Sequence, residues 1–195
     1  LDFSRLCQLS MPNDTINEIK YFTAHIKSRA DDPTQHVRQQ IYLRALRTIP
    51  NLRIIRGQFR AHVVSMPLAD PITKKIIVDT GTGKAKCVDV LKTEEKGSDV
   101  NLAAHLLNDA FKKSFEIAIV VSNDSDLVEP IKLLKIELGY DVIILNPQRD
   151  PLKQNKDLAK HASSVLTISK AILRSSQFPT TLSDTNGAIT KPATW

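Results

Sequence analysis

Short apolar runs alternate along this chain with segments whose apolar residues recur at helical spacing, the pattern of an α/β protein. Leu1, Phe3, Leu6 and Leu9 share one face of a helix over residues 1–12, which Met11-Pro12 stops. Asn13 and Asp14 form a turn, and residues 16–26 read as a strand. A loop at residues 30–33 leads into a helix over residues 34–47, with Val37, Ile41, Leu43, Ala45 and Leu46 toward a core. Residues 52–64 form a strand. Two further extended runs, 75–78 and 86–91, flank the turn sequence Asp79-Thr80-Gly81-Thr82-Gly83-Lys84 and predict a β-hairpin insertion.

The second half is more regular. Leu102, Leu106, Ala110 and Phe111 mark a helix over residues 100–113. Residues 115–121 are almost wholly apolar, as strands covered on both faces are. A helix over residues 127–138 ends at Gly139, a left-handed cap position, and residues 141–145 form another buried strand that Asn146-Pro147 breaks. A helix over residues 157–163, a strand over 165–168 and a short helix over 169–175 complete the domain, 1–176. From Gln177 the chain turns to Pro, Thr, Ser and Gly and reads as an extended tail, 177–195. Strands alternating with helices imply a parallel sheet, whose ligands bind at the carboxyl ends of the strands.

Composition narrows the choice of partner. The chain has 195 residues, room for one domain, and a formal charge of +6 that attracts polyanions. Aromatics are only 5%, too few for a broad base-stacking platform. The two cysteines, Cys7 and Cys87, are far apart and in no CxxC pair, the usage of reduced thiols in the cytoplasm rather than of a zinc site. No apolar run approaches the roughly 18 residues that span a bilayer.

Two acidic clusters stand at strand-to-helix junctions: Glu94-Glu95-Lys96-Gly97-Ser98-Asp99, and Ser122-Asn123-Asp124-Ser125-Asp126 after the most apolar strand. Carboxylates converging there repel unless a cation separates them, and oxygen ligands without His or Cys suit Mg²⁺ or Mn²⁺. Such a cation polarises a phosphodiester and generates hydroxide from bound water, so the chemistry expected is phosphodiester hydrolysis. Asp99 and Asp126 stand equally where helix N-caps belong, whereas Asp124 is not needed as a cap. Glu94 and Glu95 read as solvated loop charges, with contact to the acidic site as the alternative. Arg53, Arg56 and Arg60 form either a phosphate-binding stripe or a solvated strand face, and Lys96, Lys112 and Lys113 are further phosphate candidates.

Other chemistries are poorly served. Lys84 is followed by Ala85 and the nearby glycines are two apart, so no P-loop is present. Glu129-Pro130 stands where an EF-hand needs Gly. No GxSxG surrounds Ser122 or Ser125, the five histidines make no metal-binding pair, and no glycine-rich strand-to-helix loop supports a nucleotide-binding protein.

Lys96-Gly97-Ser98-Asp99-Val100-Asn101-Leu102 resembles the Lys-Gly-x-Asp-x-x-Leu motif of NYN domains, and Val121-Ser122-Asn123-Asp124-Ser125-Asp126-Leu127 resembles their Ser-Gly/Asn-Asp-Ser-Asp motif. Their separation, Leu145-Asn146-Pro147 after the next strand, and the segment from Gln177-Phe178-Pro179 to Trp195 also fit, the last resembling bacterial members. The resemblance implies a PIN-like (Rossmann-like) parallel sheet flanked by helices. It also implies Mg²⁺- or Mn²⁺-dependent cleavage of single-stranded RNA by a cytoplasmic enzyme, with Asp99, Asp124 and Asp126 as catalytic metal ligands. Lys96, Asn123, Ser125, Arg53 and Arg56 are then the possible substrate contacts. One departure stands out. The family opens with a strand ending in Asp-Gly-x-Asn, and no such motif occurs here; Leu1-Asp2-Phe3 resembles the start of the helix that follows that strand. The alternative is a catalytically silent RNA-binding or protein-interaction module on the same fold.

Overall fold

The computed structural model describes residues 1–26, 28 and 31–193. Ala30, in the expected loop, and Thr194 and Trp195, in the expected tail, lie outside the described residues. Helix α1 (Phe3–Ser10) is capped by Asp2, whose carboxylate accepts the Arg5 N–H at 3.1 Å. Strand β1 (Ile19–Ala24), helix α2 (Gln35–Leu46), strands β2 (Leu52–Pro67) and β3 (Cys87–Lys96) and helix α3 (Ser98–Phe111) follow. The rest comprises β4 (Ile117–Val120), α4 (Val128–Lys132), β5 (Asp141–Asn146), α5 (Lys156–His161), β6 (Ser164–Thr167), α6 (Lys170–Ser175), β7 (Thr181–Asp184) and β8 (Gly187–Thr190). The helix expected over 127–138 enters through a 3₁₀ turn (Ser125–Leu127) and leaves α4 through a π turn (Leu133–Glu137).

The strands form an α/β fold in two sheets of order β1-β2-β3 and β4-β5-β6. β4, β5 and β6 are parallel; the apolar residues of β4 and β5 are largely buried, as strands covered by helices are, while β6 at the edge is mostly exposed. β2 is shared: Leu52–Gly57 pairs parallel with β1, and Gln58–Pro67 pairs antiparallel with β3. Residues 87–91 thus pair with β2, while 75–78 makes the bridges Ala69↔Ile76 and Val78↔Ala85 and bonds Ile77 to Leu68 and Lys86 at the end of this long arm. The Asp79 turn forms as its residues predict, with the carboxylate accepting the Gly81 and Thr82 N–H groups. The strand also runs on to Lys96, since Glu95 faces Phe59 and Glu94 faces Arg60 across the ladder. Glu94 and Glu95 are therefore strand residues rather than loop charges.

Among the described residues, β1 pairs only with β2, and β4 only with β5. Two helices hold the two sheets together. On α3, Leu102, Leu106 and Ala110 join the core of Ala118, Val120, Ile131 and Ile144, while His105 lies against Phe22 of β1 with ring centroids 5.8 Å apart. Asp109 of α3 forms an ion pair with Lys20 of β1, and the two side chains are only 17% and 12% exposed. On α1, Phe3 lies 5.2 Å from the ring of Tyr21, while Leu6 is buried with Leu145 and Ile168. The residues beyond Gln177 fold back as a β7–β8 hairpin on α2, where Arg44 grips the Asp184 carboxylate and Ile189 is buried. No helix among the described residues is long and apolar enough to cross a membrane.

Candidate active site

The loop after β4 is built by its own polar side chains. Ser122 Oγ accepts the Asp124 N–H at 3.0 Å, and Asp124 Oδ1 accepts the Asp126 N–H at 3.0 Å. Asp124 is thus the N-cap of the 3₁₀ turn, and Asp126 sits inside it, reversing the capping roles the sequence suggested. Asp99 is no cap either. The position before α3 is Gly97, at φ +97°, and it is Glu95 that serves the helix end, with Oε1 accepting from the Ser98 N–H at 3.2 Å and the Ser98 hydroxyl at 2.7 Å. Asp99 and Asp126 therefore keep their carboxylates free of capping duty.

This turn of chain is packed against β2. A methyl group on Gly57 would lie 2.4 Å from Glu95 Oε1, 2.7 Å from the Lys96 carbonyl and 2.9 Å from Ser98 Oγ. Only a residue without Cβ admits β3 and the start of α3 this close. The approach sets where Glu95 and Asp99 stand.

Asp99 is exposed, and its carboxyl is pushed above its ordinary value, first by partial loss of surrounding water and then by the negative charges of Asp124, Glu95 and Asp126. Two loops distant in sequence are thus near enough at the strand ends to share one field. Among the described residues no three such side chains are already grouped around a common point. The donor set still fits a hard cation. Mg²⁺ takes one or two carboxylates and fills the rest of its shell with water, so two of these residues suffice.

The expected substrate contacts separate. Asn123 is engaged in structure: its Oδ1 accepts from Asn146 Nδ2 at 2.9 Å and from the Asn155 N–H at 2.8 Å, and its Nδ2 donates to the Lys153 carbonyl at 3.0 Å. Ser125 is exposed beside Asp124, and Lys96 is exposed and paired with Glu94 at 3.2 Å. Arg53, Arg56 and Arg60 do not make one stripe, because residues three apart on a strand point to opposite faces. Arg53 lies on the α3 face, 3.2 Å from Glu18, and Arg56 and Arg60 share the other. Glu95, read from the sequence first as a loop charge, stands close enough to Asp99 for its charge to act on that carboxyl. Its signal was a position in strand register with Phe59, visible only once β3 is paired.

The sequence matches the family described as NYN domain over residues 2–169. It is 29% identical over 150 residues to the 6-hydroxy-3-succinoylpyridine 3-monooxygenase HspA of Pseudomonas putida, covering 74% of this chain and 46% of that protein. The chain thus spans under half of that relative's length. A solved structure of a protein of unknown function from Vibrio parahaemolyticus shares the fold, with a TM-score of 0.51 at 15% identity, covering 87% of this chain and 79% of the other.

Proposed function

The chain belongs to the NYN domain family, a branch of the PIN-like nucleases, and from that premise we propose that it is a metal-dependent endoribonuclease acting on single-stranded RNA. What supports this is the packing of the start of α3, which carries Asp99, near the Ser125–Leu127 turn that Asp124 caps, where the negative charges of Asp124, Glu95 and Asp126 push the Asp99 carboxyl up. Asp99, Asp124 and Asp126 would hold Mg²⁺ or Mn²⁺, with Glu95 as a further acidic neighbour. When bound, that ion supplies Lewis-acid polarisation of a phosphodiester and a water of lowered pKa. The chain's own residues do the positioning. Ser122, Asn123 and Asn146 fix the Asp124 loop, and Gly57 and Glu95 fix the start of α3. Both cysteines are free thiols, in keeping with work in the reducing cytoplasm.

A second reading rests on the absence, among the described residues, of three grouped ligands: a silent RNA-binding or protein-interaction module on the same fold. A monooxygenase among the relatives is a reminder that the fold does not fix the chemistry. The test is cleavage of an end-labelled single-stranded RNA in Mg²⁺, Mn²⁺ or excess EDTA. The nuclease cuts in metal, stops in EDTA, and loses at least about a hundredfold in rate with Asp124→Asn. Cutting that persists in EDTA or in Asp124→Asn, or RNA bound and never cut in any metal, contradicts it.

A further inference from the structure

The carboxyl edge of the β4-β5-β6 sheet carries a second constellation, opposite in charge to the first. Arg149, Lys170, Arg174 and Lys191, with Leu173 and Gln177, line an open depression of about 440 Å³. No carboxylate lines it, and among the described residues none of the four cations is in an ion pair. Separate parts of the chain converge there. Arg149 follows the end of β5, Lys170 and Arg174 stand one turn apart on α6, and Lys191 follows β8, whose hairpin Arg44 and Asp184 hold in place. Neighbouring acids are engaged elsewhere: Asp150, next to Arg149, accepts the Leu152 N–H at 3.0 Å, Asp2, whose N–H donates to the Ser176 carbonyl, accepts the Arg5 N–H at 3.1 Å, and Asp184 is held by Arg44.

Four like charges around one depression repel, and an anion with several oxygens relieves them. Two arginines offer forked donors that match phosphate, and two lysines offer point charges. Their place relative to the acidic loop is set by strand order. That loop leaves β4, Arg149 follows β5 beside it, and Lys170 follows β6 beyond that, with neighbouring strands about 4.8 Å apart. The bond from Asn146 at the end of β5 to Asn123 ties the two neighbourhoods together. A polyanion brought to a cluster of carboxylates is repelled by them, so its flanking phosphates need cations alongside.

We propose that Arg149, Lys170, Arg174 and Lys191 form a phosphate track that grips the backbone of single-stranded RNA beside the scissile bond. This rests on the nuclease reading of the acidic loop. With no aromatic side chain lining it, the track grips phosphates rather than bases and tolerates any sequence.

The test is anisotropy of a labelled single-stranded RNA with the full chain in EDTA, where no cleavage occurs, across a salt series. Lys170→Gln with Arg174→Gln removes two cations and lowers the magnitude of the log–log salt slope by about 1.4, each single variant by about 0.7. The charge-keeping pair Lys170→Arg with Arg174→Lys retains the slope. Inorganic phosphate displaces the RNA no better than chloride at equal ionic strength. An unchanged slope in the singles and in a double variant that melts like the parent overturns the proposal. So does displacement by inorganic phosphate well beyond its ionic strength, which marks a small-anion pocket. The two proposals fail separately: RNA held through these cations but never cut refutes the nuclease alone, and cutting with an unaltered slope in the double variant refutes the track alone.

Discussion

The backbone N–H of Asp126 donates to the carboxylate of Asp124 at 3.0 Å, so a candidate metal ligand is also the cap of the turn that presents it. Charge and cap are separable by substitution. Asp124→Asn keeps an acceptor for the Asp126 N–H and should melt within about 0.5 kcal/mol of the parent while losing cleavage, whereas Asp124→Ala loses the cap and costs about 0.5–2 kcal/mol. Urea unfolding of both variants beside the cleavage assay checks this.

Asp99 predicts a pH-dependent stability. Its folded-state pKa lies above that of the unfolded chain, through partial loss of water and then through the charges of Asp124, Glu95 and Asp126. The folded state thus binds the proton more tightly. The penalty is absent below the ordinary carboxylate range, where Asp99 is protonated in both states, and grows as pH rises through the raised pKa. Asp99→Asn should therefore raise the metal-free melting temperature at pH 7, on the order of 1–3 °C. The gain should fade at pH 4 and below, and a calorimetric series across pH 3–8 with EDTA reads it. A gain that persists at pH 3 would contradict the repulsive field.

Gly57 predicts a steric effect at a distance from the carboxylates. Alanine there meets the Lys96 carbonyl, a backbone atom unable to turn away, besides the Glu95 and Ser98 side chains. Gly57→Ala should cost about 1–3 kcal/mol and reduce cleavage in a folded protein, because the start of α3 must shift. Denaturant unfolding and the rate measured well below the melting point separate the two losses.

The C-terminal hairpin predicts the opposite pH dependence. Arg44 holds the Asp184 carboxyl down to about 2, with the Asn186 N–H helping. A depressed pKa contributes stability that is whole above the ordinary carboxylate value and is lost as pH falls toward about 2. Amide exchange in Thr181–Asp184 and Gly187–Thr190, corrected for intrinsic rates, should gain on the rest of the chain across that window. Asp184→Asn should bring the same loss of protection at neutral pH.

Much of this was legible in the sequence wherever the signal was local. The apolar run ending at Val120, the helical spacing of Leu102, Leu106 and Ala110, and the Gly139 stop all give their elements within a few residues. The two acidic motifs were equally plain, and the field around Asp99 places them together. Illegible was whatever depends on pairing at long range. β3 pairs with a strand that ends twenty residues earlier, so Glu94 and Glu95 looked like loop charges until their cross-strand partners Arg60 and Phe59 were known. The capping roles of Asp124 and Glu95 depend on single hydrogen bonds that composition does not distinguish from those of their neighbours. Arg149, Lys170, Arg174 and Lys191 come from separate elements and form no run at all.

The most direct measurement is Mn²⁺ titration followed by electron paramagnetic resonance, with the parent chain, Asp99→Asn and Asp124→Asn side by side. The account predicts a site in the parent that Mg²⁺ competes for and that each substitution weakens by at least about tenfold, since both carboxylates share one ion. Equal Mn²⁺ affinity in all three proteins would contradict it, because the charges of Asp99 and Asp124 would then be near one another without holding a cation between them.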